Sequence, residues 1–235
     1  MADARADLAI DAEGIGRRFG ARWVLRGASL SVRPGEVVGL LGANGSGKTT
    51  LLKVLGTLLR PSVGTARVLG FDVGKESDEV RARVGYLAHR PGVYDDLTPL
   101  ENLTFAADML GMPHSAAAEC IERVGLAPLT RERVRGLSAG MQRRVALARL
   151  LLRKASVLLL DEPYSNLDIG GIALVNTIIS EAAQAGGAAL VVLHELAPAA
   201  GVLDRTVQLD KGRVIATPVV AAKPGARSVA MAGRS

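Results

Sequence analysis

Aromatic side chains are scarce here: three Phe, three Tyr and one Trp make up 3% of the 235 residues. A core of ordinary size must therefore come from Ala, Val, Leu and Ile, a composition suited to α/β architecture. Cysteine is scarcer still. With Cys120 alone, no disulfide can form within the chain, and a reducing cytoplasm is the expected compartment. Long apolar runs are also missing. The longest, roughly 188–203, is interrupted by His194, Glu195 and Pro198 and falls short of the ~18–20 apolar residues needed to span a bilayer. The first twenty residues carry Asp3, Asp7, Asp11 and Glu13 and show no secretory pattern.

Apolar residues nevertheless make up 49% of the chain, so disorder is excluded for most of it. The net charge of +6 is spread along the sequence rather than gathered into one basic block and carries little weight for or against nucleic acid; no nucleic-acid partner is expected, because the chain shows neither a second nucleotide-binding domain nor long heptad-rich insertions. The length fits a single domain with two lobes. We expect that domain over about 7–217, with a core at about 7–90 and 139–217, a helical lobe at about 91–138, and a flexible tail at 218–235 rich in Ala, Pro, Gly and Arg.

Strand-like alternation between Ile10 and Leu30 ends in the turn Arg33-Pro34-Gly35-Glu36 and leads into the apolar run Val37 to Leu41. A Gly-rich loop comes next. Leu51, Leu52, Val54, Leu55, Leu58 and Leu59 then recur at helical spacing up to Pro61. Between Pro91 and Gly136 the pattern is helical, broken at Pro99, Gly111 to Pro113 and Gly125. Alternation resumes with a helix from about Ala139 to Lys154, a strand at Val157 to Leu160, a helix after Gly171, a strand at Leu190 to Leu193, and a hairpin turning at Asp210-Lys211-Gly212. No fixed-period repeat is visible.

Gly42-Ala43-Asn44-Gly45-Ser46-Gly47-Lys48-Thr49 fits the pattern G-x-x-x-x-G-K-[ST] between a strand and a helix, with Thr50 following. Glycines let backbone N–H groups curl around phosphate oxygens, and the helix N-terminus adds a positive dipole end. Lys48 would neutralise β/γ-phosphate charge, and the Thr49 hydroxyl can ligate Mg²⁺. Val157 to Leu160 runs into Asp161-Glu162, the expected form of a buried parallel strand ending at a ligand crevice. Alone, such a pair serves equally well as a helix cap or solvated turn. Beside a phosphate loop, Asp161 would hold Mg²⁺ and Glu162 would act as general base toward water, a role that contributes about 10²–10⁴-fold in rate.

Leu137-Ser138-Ala139-Gly140-Met141-Gln142 offers a second anion site, because Ser138 can cap a helix whose small residues Ala139 and Gly140 leave its first amides open; an ordinary capped helix has the same features. In this company the chain resembles the ABC ATPase family over almost its whole length. The resemblance implies a P-loop NTPase core, a parallel sheet flanked by helices, with an antiparallel β lobe and a helical signature lobe. It implies ATP hydrolysis with Mg²⁺ and a head-to-tail dimer, of identical or like subunits, in which Ser138 and Gly140 of one subunit close over ATP held by the other's phosphate loop. Ser165-Asn166-Leu167-Asp168 resembles the loop that communicates across that dimer, His194 the switch histidine, and Phe19 the aromatic that stacks on adenine. The resemblance also implies an integral membrane permease as partner, docking on the helical lobe, and a place on the cytoplasmic face of the membrane.

Two positions depart from the family pattern. His89 stands where a glutamine normally senses Mg²⁺ and the membrane partner, and Met141 replaces the signature's glutamine. Histidine can still accept a hydrogen bond or approach a metal, and its charge changes near neutral pH. The stretch Gly85 to Gly92, His89 included, together with Leu97 to Leu103, looks like the haem-exporter ATPases of bacterial cytochrome c maturation. Exporters of drugs, lipids or polysaccharides share most of these residues, and a non-transport regulatory ABC ATPase is the other alternative.

Overall fold

Alternating side chains divide the apolar strands between two cores. The computed structural model describes residues 7–216, so the tail at 218–235 lies outside the described residues. A six-stranded sheet runs in the order β10-β9-β3-β8-β7-β6, formed by β3 (Val37–Leu41), β6 (Val84–Leu87), β7 (Val157–Asp161), β8 (Ala188–Val192), β9 (Arg205–Asp210) and β10 (Arg213–Ala216). Every pairing in it is parallel except the β9–β10 hairpin. Leu158 and Leu160 of β7 face one core and Val157 and Leu159 the other. All five residues of β7 are buried, as a parallel strand covered on both faces requires. Each such Val or Leu contributes roughly 1.5–3 kcal/mol by leaving water.

On one face lie α5 (Ala139–Leu152) and α6 (Ile169–Gln184), with α3 (Pro99–Met109) and α4 (His114–Arg123) joined to the same core. The other face holds α1 (Lys48–Leu55) and a four-stranded antiparallel sheet, β2-β1-β4-β5, made from β1 (Ile10–Phe19), β2 (Arg22–Val32), β4 (Val63–Val68) and β5 (Phe71–Asp72). The short α2 (Ser77–Arg83) leads into β6. This is the α/β arrangement expected from the sequence, with the antiparallel and helical parts where the resemblance implies them.

The boundaries differ in physically clear ways. The first alternating segment is a hairpin of two long strands turning at Gly20, whose φ is +56°. α1 stops at Leu55 rather than continuing toward Pro61, because Gly56 caps it and Thr57 enters the left-handed region at φ +61°. α6 starts two residues before Gly171, since the Asp168 carboxylate accepts the Gly171 amide at 2.9 Å and caps the helix. β8 begins at Ala188 and ends at Val192. Thr98 and Glu101 form a reciprocal capping box at the start of α3.

Candidate active site

The phosphate loop leaves β3 and enters α1 through Gly47, at φ +111°. A Cβ at Gly47 would lie 2.9 Å from Leu25 Cδ2 and 3.2 Å from the Val24 carbonyl oxygen, so glycine is required by backbone angle and by the close approach of β2. That approach also brings the β1–β2 hairpin to the loop. Phe19, at the hairpin's tip, is 45% exposed, with the Arg17 guanidinium 4.7 Å over its ring.

Lys48 is buried and its ammonium donates to the carbonyls of Gly42 (2.7 Å) and Ala43 (3.1 Å). The side chain thus lies back across the loop that precedes it. Thr49 Oγ1 donates to Asp161 Oδ2 at 2.7 Å, joining the start of α1 to the end of β7. Asp161 is 1% exposed, and its other oxygen, Oδ1, has no partner; nor does the buried Ser46 hydroxyl. Orphaned buried oxygens cost free energy unless something satisfies them. A carboxylate, a hydroxyl and a second unpartnered hydroxyl are the hard oxygen donors that suit Mg²⁺, so the residues fit that ion.

Glu162 has an unusual backbone for a non-glycine residue, φ +51°, in the left-handed region where such residues cost about 1–3 kcal/mol. This turn aims its carboxylate between two histidines. His194 Nε2 lies 2.6 Å from Oε1, and His89 Nδ1 lies 3.0 Å from Oε2. An ionised carboxylate only accepts, so both ring nitrogens are assigned as N–H donors. His89, expected near the metal, turns its Nδ1 to Glu162, and the oxygen donors the fold offers to a cation are those of Thr49, Asp161 and Ser46.

The segment after Glu162 is tethered. Tyr164 donates its hydroxyl to Asn176 Oδ1 at 2.7 Å, and the Asn176 amide donates to the Pro198 carbonyl at 2.9 Å. Burial pushes the Tyr164 phenol up from its ordinary value, which keeps it a neutral donor.

Ser138 caps α5, its Oγ accepting the Met141 amide at 3.3 Å. Gly140 abuts the loop at 165–168: a Cβ there would lie 2.6 Å from the Asn166 carbonyl oxygen. Among the described residues no hydrogen bond ties Ser138 or Gly140 to residues 42–50 of the same chain. Hydrogen bonds thus join Thr49 to Asp161 and Glu162 to His89 and His194, while the candidate residues Ser138 and Gly140 sit at the start of α5, with Gly140 against Asn166.

Sequence reasoning assigned no role to Arg143, which is 2% exposed and bonded to the backbone around both Glu162 and His89. Its signal was available: Arg143, Leu147 and Leu150 share one helical face, so the cation falls on the buried stripe of α5.

The pattern of the ABC transporter family matches residues 25–165, a stretch running from β2 through the phosphate loop and signature turn to the acidic pair. The chain belongs to the ABC transporter family. As an ABC ATPase subunit it binds ATP and hydrolyses it in the service of transport. It is 40% identical to a cytochrome c biogenesis ATP-binding export protein, CcmA 2, of Cupriavidus metallidurans, over 85% of this chain and 96% of that one. A CcmA protein of Xanthomonas oryzae is 46% identical over 76% of this chain and 83% of its own. A daunorubicin resistance ATP-binding protein, DrrA3, of Streptomyces coeruleorubidus is 39% identical over 90% of this chain and 68% of its own. Among solved structures, an ATP-binding subunit of an ABC transporter superposes with a TM-score of 0.82 at 26% identity, covering 90% of each chain. A dimeric ATP-binding cassette bound to ADP and phosphate shares the fold, with a TM-score of 0.78 at 24% identity, covering 91% of this chain and 99% of the other.

Proposed function

We propose that this ABC ATPase drives an export complex, that the complex is the haem exporter of cytochrome c maturation, and that it works as a dimer with ATP sandwiched between subunits. The observation that carries the hydrolytic part is the Glu162 carboxylate, held between His194 and His89 beside the Thr49–Asp161 pair. Amides of Gly42 to Thr50 bind phosphate oxygens, and Lys48 leaves its carbonyl partners to neutralise the β/γ-phosphates. Thr49 and Asp161 would hold Mg²⁺, which would screen the phosphate charge. Glu162 takes the proton of the attacking water while the two histidines fix its orientation. The loss of such a base raises the barrier by roughly 3–5 kcal/mol. Phe19 offers a ring to adenine, and Ser138 and Gly140 present the capped end of α5 to the γ-phosphate of the partner subunit's ATP. The dimer rests on the likeness of Leu137 to Gln142 to the family's signature motif.

No helix among the described residues is long and apolar enough to cross a membrane. Transport therefore needs an integral membrane permease, which would hold this chain on the cytoplasmic face. A groove of about 680 Å³ between β6 and the helical lobe fits that partner: it is lined by the exposed Leu58, Phe105, Met109 and Leu110 and by Arg149 and Arg153. Haem as cargo rests on the similarity to the CcmA proteins and on His89. The similarity to DrrA3 favours drug export as the second reading.

ATPase assays of wild-type and Glu162→Gln protein, with gel filtration in Mg²⁺-ATP, test the mechanism: an active wild type and a silent variant that elutes as a dimer are expected. A Glu162→Gln protein that turns over normally would remove Glu162 from the chemistry. Cargo is decided in cells lacking this chain. Loss of haem-stained c-type cytochromes supports haem export, whereas intact cytochromes with raised sensitivity to anthracyclines support the second reading.

A further inference from the structure

Arg143 sits on α5, whose N-terminus carries the signature turn, with its side chain 2% exposed in the interior. A guanidinium has five N–H donors in a fixed fork. Here all of them meet backbone carbonyls: Nη1 donates to Ala88 (2.6 Å) and His89 (3.2 Å), Nη2 to Asp161 (3.0 Å) and Glu162 (2.6 Å), and Nε to Pro163 (3.3 Å). Those five carbonyls belong to only two segments, the one that carries His89 and the one that carries the acidic pair.

Burial lowers the Arg143 pKa to about 10, with Asp161 and Glu162 pulling it back up, so the group remains charged at neutral pH. An apolar side chain at this point of the buried stripe would fill the space without burying a cation. Burying one is costly unless it is fully satisfied, and this one is satisfied entirely by backbone. Two of its contacts fall on residues whose placement matters for chemistry: the Glu162 carbonyl, at the left-handed turn, and the His89 carbonyl behind the imidazole that meets Glu162. The next residue continues the connection on the other side of the helix. Arg144 donates to the Val124 carbonyl (2.9 Å) and to Asp168 Oδ1 (2.8 Å).

We propose that Arg143 is a positioning residue that clamps the His89 segment and the Glu162 turn to the signature helix, so that a shift of α5 moves the general base and its histidine partner together. The clamp deepens the proposed mechanism, since it rests on Glu162 acting as base. Coupling between the signature end of α5 and the Glu162 turn then runs through Arg143, beside the Arg144–Asp168 bond and the Gly140–Asn166 contact.

The test uses full-length Arg143→Met and Arg143→Lys proteins beside wild type and Glu162→Gln. Turnover, KM, the dissociation constant for a fluorescent ATP analogue and thermal melting are measured for each. Loosening the carboxylate without touching the phosphate loop should lower kcat of Arg143→Met by about tenfold to a hundredfold, the scale expected of a small misplacement of a reacting group. The dissociation constant should stay within about threefold of wild type, because Gly42 to Thr50 are untouched, and Arg143→Lys, which keeps the charge but not the fork, should fall between. Hydrogen exchange at the amides of 161–165 and 88–92 should accelerate in both variants. If Arg143→Met does not fold, Arg143→Lys decides alone: a kcat equal to wild type, or a loss matched by equal loss of nucleotide binding, overturns the proposal. Failure of the underlying reading is separate, because it shows as turnover in Glu162→Gln.

Discussion

Thr49 and Asp161, 112 positions apart in the chain, meet through a hydrogen bond of 2.7 Å that closes the phosphate loop onto the end of β7. Asp161 Oδ1 already lacks a partner, so Thr49→Val would leave a carboxylate that is 1% exposed with neither oxygen satisfied. The expected cost is about 1–3 kcal/mol, read from urea unfolding in the absence of nucleotide. The Mg²⁺ concentration needed for half-maximal ATPase activity should rise as well; an unchanged requirement would detach Thr49 from the ion.

Two imidazoles hold the carboxylate of Glu162, and they should not matter equally. His194→Ala removes the shorter contact, at 2.6 Å, and is expected to lower kcat by about a hundredfold with little change in KM. His89→Gln restores the amide that the family usually has and still offers an N–H donor, so turnover should remain within about tenfold of wild type. His89→Leu, which offers none, should fall further. Steady-state kinetics of the three proteins gives the order.

Gly140 lies so near Asn166 that a Cβ would approach its carbonyl oxygen to 2.6 Å, closer than Cβ atoms are found. Gly140→Ala must therefore push the 165–168 loop, at about 1–3 kcal/mol of overpacking. Faster hydrogen exchange confined to 165–168, with lowered ATPase activity, is the outcome to look for.

Acid should act on the same loop through Asp168. The Arg144 guanidinium, and then the Gly171 amide, hold its carboxyl below the usual carboxylate range. A depressed folded-state value means that stability from this group is present above its unfolded value and disappears as pH falls through the folded one. Asp168→Ala should lower Tm at pH 7, and the gap from wild type should narrow as the pH drops below about 4. A gap that stays constant down to pH 2 would show that charge is not the cause.

Met109 is 74% exposed on the groove assigned to the permease. Met109→Glu should change stability by less than about 0.5 kcal/mol, as surface substitutions do. Co-purification with the permease should drop sharply. Retained co-purification would move the docking surface elsewhere.

Local patterns reveal a good part of this. The phosphate loop, the acidic pair and the signature turn are contiguous stretches, and their spacing already signals phosphate chemistry. The apolar runs at 157–160 and 190–193 mark the strands found at 157–161 and 188–192, because both faces of those strands are buried. The segment from 63 to 87 was less legible. β4 has only two buried residues in six and β5 only two residues in all, so neither gives a periodic signal strong enough to read.

Taken by itself, the sequence determined the α/β class and pointed to the loop and the groups proposed to hold phosphate and move a proton, because those depend on residue type and short-range spacing. Tertiary structure alone decided that His89 and His194 converge on Glu162, that Gly140 rests on Asn166, and that Arg143 spends every donor on two distant segments. These contacts join parts of the chain that only the parallel sheet and the packing of α5 bring together, and no local pattern records which distant carbonyl a buried cation will meet.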